Sequence, residues 1–135
     1  MFDLGATHSF VSLTCASRAG LVMVPLEEEC YVSTPCAGVM VVLTSCPDVT
    51  MSVGDQEMMT DLLVLDMRDF DVILGMDWLA SYHATVDCFS KEVIFRILGQ
   101  PPFCLSGDVT SPPIISVTQT RKLLLKGCVG YLAAV

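Results

Sequence analysis

The stretch that decides the fold prediction is residues 71–79, Asp71-Val72-Ile73-Leu74-Gly75-Met76-Asp77-Trp78-Leu79. Its apolar part, Val72 to Leu74, is stopped by Gly75, which is typical of a short buried strand. From Met76 to His83 the residues favour a helix, and the early Asp77 suits the positive end of the helix dipole. We therefore expect a strand, a glycine and one short helix, in that order.

The residues on either side of this stretch are typical of β-hairpins. Residues 27–67 consist of short apolar runs, rich in Val and Thr, that are separated by Pro, Gly and Asp. Gly54-Asp55 is a candidate for a tight turn. Residues 85–89 and 92–97 then alternate around Ser90-Lys91, which indicates one more hairpin. The expected fold class is all-β, or mostly β.

Proline and glycine divide the chain near Gly99. Four of the seven prolines and two of the nine glycines lie in residues 98–113, a composition typical of an extended linker. Beyond it, Ile115 to Lys126 favour a helix that ends at Gly127, with basic residues near its C-terminus. We expect residues 1–98 to form the domain, and residues 99–135 to form a linker and a basic connector helix.

Composition and charge exclude several classes of protein. With 53% hydrophobic and 16% charged residues among 135, the chain is too apolar for a disordered tail and suits one folded core. Its apolar segments are shorter than the roughly 18 residues that a membrane helix requires, so no membrane span is expected. Residues 1–108 hold all 15 acids and four of the seven basic residues, a net charge of −11. Direct nucleic-acid binding is therefore not expected.

The seven cysteines form an odd set without a Cys-x-x-Cys pair, and only two histidines accompany them. This spacing suits neither a zinc site nor a disulfide framework. We expect reduced thiols that pack as small apolar residues in an intracellular, cytoplasmic protein. A zinc-binding module built on the cysteines is the least favoured function, and no metal or organic cofactor is expected.

The candidate catalytic residue is Asp3, in the run Phe2-Asp3-Leu4-Gly5-Ala6-Thr7-His8-Ser9-Phe10. An Asp followed two residues later by Gly can place a carboxylate at a turn where the main chain approaches a substrate closely. Alone, such a tripeptide is more often an ordinary turn with a solvated acid. The strand, glycine and helix predicted for residues 71–79 favour the catalytic interpretation over the ordinary turn, because this arrangement braces the active-site loop in acid proteases.

These two stretches, in this order, resemble the protease of Ty3/gypsy-type retrotransposon polyproteins, especially those of plants. The resemblance extends over residues 63–79, Val-Asp-Cys at 86–88 and Val-Ile-Phe at 93–95. Residues 121–132 resemble the connector toward reverse transcriptase in such polyproteins. The resemblance implies a barrel-like acid-protease fold, active as a homodimer in which each copy supplies one Asp-containing loop. The implied activity is aspartic endopeptidase cleavage of a Gag-Pol polyprotein.

The same resemblance assigns roles to individual residues. Asp3 would be the catalytic carboxylate, and the substrate peptide would contact Gly5, Ala6 and Thr7. The residues that would support the active-site loop are Leu4, Ile73, Leu74 and Gly75. The flap over the substrate would be the hairpin tip from Thr34 to Val39, for which an ordinary surface turn is an equally good interpretation.

Two features depart from the pattern of that family. Leu4 stands where Ser or Thr is usual, and it cannot donate the hydrogen bond that ties the two active-site loops together. The chain also begins two residues before Asp3, so we expect a barrel truncated at its N-terminus. The alternative function is therefore a degenerate β-barrel remnant that dimerises or binds peptide without cleaving it.

Overall fold

The computed structural model describes residues 1–34 and 38–106, and the backbone of residues 116–117. Nine strands and two helices lie in these residues. In chain order they are β1 (Phe10–Ser12), α1 (Leu13–Ala19), β2 (Val24–Thr34), β3 (Gly38–Val53), β4 (Gln56–Leu65), β5 (Val72–Ile73), α2 (Met76–Ser81), β6 (Thr85–Asp87), β7 (Glu92–Phe95), β8 (Phe103–Ser106) and β9 (Ser116–Val117). The mostly β fold class is confirmed.

The larger sheet has the strand order β2-β3-β4-β1-β5. Its antiparallel pairs β2–β3 and β3–β4 are the hairpins expected for residues 27–67, and Gly54 turns the second with a φ of 61°. β1 runs parallel to β4 and antiparallel to β5, so it lies between them. The described strands form this open sheet and a smaller one, rather than a closed barrel.

Strand β3 changes its partner halfway along. Residues 38–45 pair with β2, and residues 45–53 pair with β4. A bulge interrupts the second pairing, and inside it Asp48 adopts a φ of 53°. The amide of Asp48 donates a hydrogen bond of 2.9 Å to the carboxylate of Asp61 on β4. One continuous strand thus connects the β2–β3 hairpin to the centre of the domain.

The smaller sheet has the order β6-β7-β8, and its first hairpin is the one expected around Ser90-Lys91. The third strand corrects the prediction of an extended linker over residues 98–113. Phe103–Ser106 pairs with β7, and the ring of Phe103 stacks on that of Phe95 at 5.0 Å. Pro101 and Pro102 lie just before this strand, where they leave its hydrogen bonds intact. β structure therefore continues past Gly99, and a domain division there stays a prediction.

The predicted connector helix from Ile115 to Lys126 is wrong at its first residues. The backbone of Ser116–Val117 pairs antiparallel with Met51 and Ser52 of β3, as strand β9. Serine and the β-branched valine have a weak preference for helix, so pairing with a strand edge prevails. Residues 118–135 lie outside the described part of the chain.

Aromatic rings form the centre of the main core. Phe2 lies 6.0 Å from Trp78 and 6.3 Å from Phe95, measured between ring centroids, and Trp78 lies 5.2 Å from Tyr82. Phe2, Trp78 and Phe95 are all buried. The cluster joins the first residues of the chain to helix α2 and to the smaller sheet, so the two sheets share one core.

Helix α1 was not placed by the sequence, although its caps are regular. Ser12 is the N-cap and accepts a hydrogen bond of 3.0 Å from the amide of Cys15. Gly20 ends the helix with a φ of 66°. No helix in the described part of the chain has the length and apolar character needed to cross a membrane.

The described cysteines are thiols, but they do not all pack as small apolar residues. Cys15 and Cys46 are buried, and burial raises the pKa of the Cys46 thiol. Cys30 is half-buried, whereas Cys88 and Cys104 are exposed. The expectation of burial is thus correct for two of these five residues and wrong for the last two, which lie in the turn after β6 and on β8.

Candidate active site

Backbone pairing with residues 72–74 fixes the position of Asp3. The amide of Leu74 donates a hydrogen bond of 2.7 Å to the carbonyl of Met1, and the amide of Asp3 donates one of 2.9 Å to the carbonyl of Leu74. Phe2 and Leu74 face each other in a parallel bridge. Leu74 is thus bonded to the segment that carries Asp3, and its role in supporting an active site stays a prediction.

The carboxylate of Asp3 is held by the turn that follows it. Its Oδ1 accepts a hydrogen bond of 2.8 Å from the amide of Gly5. A Cβ atom on Gly5 would lie only 3.2 Å from the same oxygen, so a glycine lets the main chain approach the carboxylate closely. The amide of Ala6 donates to the carbonyl of Asp3 at 3.3 Å, which closes the turn. Asp3 itself is half-buried and remains accessible from one side.

Gly75 lies against the far part of the same loop. A Cβ atom at this position would lie 2.3 Å from the carbonyl oxygen of His8 and 2.7 Å from that of Ala6. Immediately after it, the amide of Met76 donates to the carbonyl of Ala6 at 2.8 Å. The predicted strand, glycine and helix thus pack directly on the loop that carries Asp3.

A contact that the sequence did not predict, between Ser9 and Asp77, also joins these segments. The amide and the hydroxyl of Ser9 donate hydrogen bonds of 3.0 and 2.7 Å to the carboxylate of Asp77. The sequence signal for Asp77 was its place at the start of a predicted helix. An acid at that place also suits the helix dipole, so it does not by itself indicate a partner. Its partner lies 68 residues away, so no local pattern reveals the contact.

The remaining predicted site residues lie around Asp3 but differ in exposure. Gly5 and Thr7 are exposed and Ala6 is half-buried, so all three are accessible on the loop. Leu4 is 38% exposed and points an apolar side chain outward beside the candidate carboxylate. Ile73 packs with Ala6 in a second apolar cluster. Substrate contact by these residues stays a prediction.

This second apolar cluster lies between the loop and the inner side of the β2–β3 hairpin. Phe10, Val42 and Leu65 are its buried members. The partly buried residues around them are Ala6, Leu26, Cys30, Val32, Met40, Leu63, Met67 and Ile73. Ala6 is the residue of the Asp3 loop that packs against this cluster.

The candidate flap lies at the tip of the same hairpin. Thr34 and Gly38 pair across it, and the hydroxyl of Thr34 donates a hydrogen bond of 3.2 Å to the carbonyl of Gly38. Residues 35–37 lie outside the described part of the chain. The predicted segment is thus the end of a hairpin whose inner side contributes to the cluster near Asp3, and its role as a flap stays a prediction.

A separate open cleft of about 350 Å³ lies between β4 and α2. Its lining residues are Asp48, Met59, Thr60, Asp61, Asp77, Trp78 and Ser81. The cleft does not include Asp3, and among the described residues no group of three His, Cys, Asp or Glu is placed to hold a metal ion. The candidate site is therefore the Asp3 loop and not this cleft.

Three findings place the chain among known proteins. The sequence profile of the family described as retroviral aspartyl protease matches residues 1–100. Over 108 residues the chain is 28% identical to the UBA domain-containing protein Mud1 of Schizosaccharomyces pombe, and the match covers 79% of this chain and 32% of Mud1. The chain thus spans about a third of the length of that curated relative.

Among solved structures, the fold is similar to the retroviral protease-like domain of Ddi1 from Leishmania major. The TM-score is 0.57, with 17% sequence identity over 78% of this chain and 82% of that chain. At this identity the likeness shows the fold alone. The profile match spans the Asp3 loop, the β2–β3 hairpin and residues 71–79. The chain therefore belongs to the retroviral aspartyl protease family and has a retropepsin-like fold.

Proposed function

We propose that this chain is an aspartic endopeptidase in which Asp3 residues from two copies form one active site. The observation that carries the proposal is the half-buried carboxylate of Asp3, held at a turn by the Gly5 amide on a loop braced by Gly75. The sequence contains one Asp-x-Gly tripeptide, so a single copy supplies one such carboxylate. Family membership supports protease chemistry, and in this proposal the second carboxylate comes from a second copy.

The proposed chemistry needs two carboxylates a few ångströms apart. Two such groups do not ionise together readily, so they share one proton and titrate as a coupled pair. The ionised member takes a proton from a water molecule, which attacks the peptide carbonyl. The protonated member polarises that carbonyl and later gives a proton to the leaving amine. Neither step requires a metal or an organic cofactor.

The proposed substrate is an extended peptide within the Gag-Pol polyprotein of a Ty3/gypsy-type retrotransposon. The resemblance of residues 63–79 and 121–132 to such polyproteins supports this substrate. The apolar cluster formed by the loop and the β2–β3 hairpin suits a peptide with apolar side chains near the cleaved bond.

Peptide cleavage by the purified full chain tests the proposal. An unstructured peptide library is incubated at mildly acid pH, with and without a pepstatin-like inhibitor, and products are identified by mass spectrometry. We expect inhibitor-sensitive cleavage that is lost in Asp3→Asn. The matched control is Asp55→Asn, which removes an exposed carboxylate from another turn. Cleavage that persists in Asp3→Asn would show that Asp3 is not catalytic.

A second candidate function is a remnant that dimerises or binds peptide but does not cleave. The exposed, apolar Leu4 favours it, because Leu4 has no hydroxyl with which to bind a neighbouring loop. The variant Leu4→Ser restores a donor at this position. Cleavage by Leu4→Ser but not by the natural sequence would identify the chain as an inactivated protease. Absence of cleavage in both would support the remnant.

A further inference from the structure

Ser9 connects three segments of the chain through its polar atoms. The residue is fully buried, at 0% exposure. Its carbonyl accepts a hydrogen bond of 2.9 Å from the amide of Leu63 on β4. Its hydroxyl donates 2.7 Å to Asp77 and accepts 3.0 Å from the amide of Gly75. Because buried polar groups are costly to leave unpaired, this set of bonds fixes Ser9 in one place.

Asp77 is exposed toward the cleft, and the three protein groups that bind its carboxylate are all donors. Oδ2 accepts from the Ser9 amide at 3.0 Å, and Oδ1 accepts from the Ser9 hydroxyl and from the Trp78 amide at 2.7 Å each. A carboxylate accepts at both oxygens, whereas an amide side chain presents a donor at one of the two positions. Asparagine at this position would therefore set a donor against a donor.

The loop that carries Asp3 is consequently anchored at both ends. At one end the Asp3 amide binds the carbonyl of Leu74 at 2.9 Å. At the other end Ser9 binds the Asp77 carboxylate, and the amide of Asp77 donates to the carbonyl of Thr7 at 3.3 Å. The second anchor is the only one of the two that depends on side chains, so substitution can remove it selectively.

We propose that Asp77 is a positioning residue for the candidate active site. It acts through Ser9, holds the loop from Asp3 to Ser9 against α2, and requires a carboxylate rather than an amide. This inference rests on the proposed function of Asp3. Since misplacement of a catalytic group by about 1 Å can lower turnover on the order of a hundredfold, loosening this anchor should reduce kcat.

The test compares Asp77→Asn with the natural sequence in the full chain. With a peptide identified as a substrate, we expect kcat to fall on the order of tenfold or more while KM changes by less than about twofold. Ser9→Ala should give a loss of similar size, and the double variant should lose little more than either single variant, because the two residues act as a pair. A kcat for Asp77→Asn equal to that of the natural sequence would overturn the proposal.

The matched control is Asp61→Asn. Asp61 is an exposed carboxylate on β4 that also accepts a main-chain hydrogen bond, from Asp48 at 2.9 Å. Asp61 lines the same cleft as Asp77, but this hydrogen bond joins it to β3 and not to the Asp3 loop. We expect the control to keep kcat within about twofold of the natural value. An equal loss in both variants would show a general effect of charge instead of positioning.

A second measurement separates this inference from the proposed function. Amide hydrogen exchange is followed by NMR at Ser9 and Gly75, with the buried Val93 of β7 as internal reference. Exchange at Ser9 and Gly75 should be at least about tenfold faster in Asp77→Asn, and unchanged in Asp61→Asn. If neither the natural sequence nor Leu4→Ser cleaves peptide, the proposed function fails. The exchange rates at Ser9 and Gly75 then decide whether Asp77 anchors the loop. Unchanged exchange at Ser9 and Gly75 would then refute the anchoring role.

Discussion

A Cβ atom on Gly75 would lie 2.3 Å from the carbonyl oxygen of His8, closer than any side chain can approach. The main-chain segments that carry Gly75 and His8 cannot move apart without breaking the hydrogen bond between the Met76 amide and the Ala6 carbonyl. The glycine is therefore required by packing and not by a left-handed backbone conformation. It sets how closely helix α2 can approach the Asp3 loop.

Gly75→Ala should lower the free energy of unfolding by about 3 kcal/mol or more, because the added methyl group forces the two segments apart. Urea unfolding followed by Trp78 fluorescence measures the loss. The control is Gly99→Ala, where the added Cβ meets open space but the φ is 81°. The control should cost about 1–2 kcal/mol, from the left-handed conformation alone. An effect at Gly75 no larger than at Gly99 would contradict the close approach.

Ser12→Ala should destabilise the domain by about 1 kcal/mol, because the amide of Cys15 loses its capping acceptor. The shift in midpoint of urea unfolding provides the measurement. Thr14→Ala is the matched control, since Thr14 is exposed in the first turn of the same helix and alanine favours helix. That variant should be neutral or slightly stabilising. Equal losses in the two variants would argue against Ser12 as the cap.

Phe103→Ala should destabilise the domain by about 2 kcal/mol, because it removes a half-buried ring stacked on Phe95. Leu98→Ala, at a position 88% exposed, should stay within about 0.5 kcal/mol of the natural sequence. Thermal and urea unfolding of both variants give the comparison. A neutral Phe103→Ala would instead support a domain that ends near Gly99.

Protein expressed with a free amine at Met1 should lose stability as the pH falls from 8 to 5. Burial of this amine, opposed by the charges of Asp3 and Asp71, lowers its pKa from 8.0 to about 5. Between these values the unfolded chain binds a proton that the folded chain does not. The free energy of unfolding should therefore fall by up to about 1.4 kcal/mol per pH unit in that window.

The control for this pH dependence carries a short Gly-Ser extension before Met1. Its amide can still donate to the carbonyl of Val72, as the amine does at 2.8 Å, but it does not ionise. The difference between the two unfolding curves isolates the amine from all other titrating groups. Identical pH dependence in both proteins would mean that the amine is not buried.

Local patterns were sufficient to predict the strands of the hairpins and the strand, glycine and helix of residues 71–79. Val72–Ile73 and Met76–Ser81 form as expected because adjacent residues specify them. The position of Asp3 on a turn also followed from Gly5 two residues later. These features depend on spacing within a few residues, which a single sequence displays directly.

Some features that sequence reasoning missed depend on contacts between residues distant in the chain. Others were missed because prolines or weak capping signals were misinterpreted. The partnership of Ser9 with Asp77 joins residues 68 positions apart. Strand β8 follows two prolines that favoured a linker, and it is stabilised by Phe95 across the sheet. Helix α1 is only seven residues long and lacks an acid in its first turn, so its Ser12 cap was its main signal. For β8, tertiary packing outweighs local preference.

Strand β3 determines the direction in which the β2–β3 hairpin leaves the centre of the domain. Its first half pairs with β2, whereas its second half is fixed by β4, and the bulge at Asp48 lies just beyond the junction. Ser45 and Cys46 pair with β4 before the bulge and residues 49–53 pair with it beyond the bulge, so β4 bends together with β3. The direction in which the predicted flap segment leaves the domain is therefore fixed by the β3–β4 ladder on both sides of the bulge.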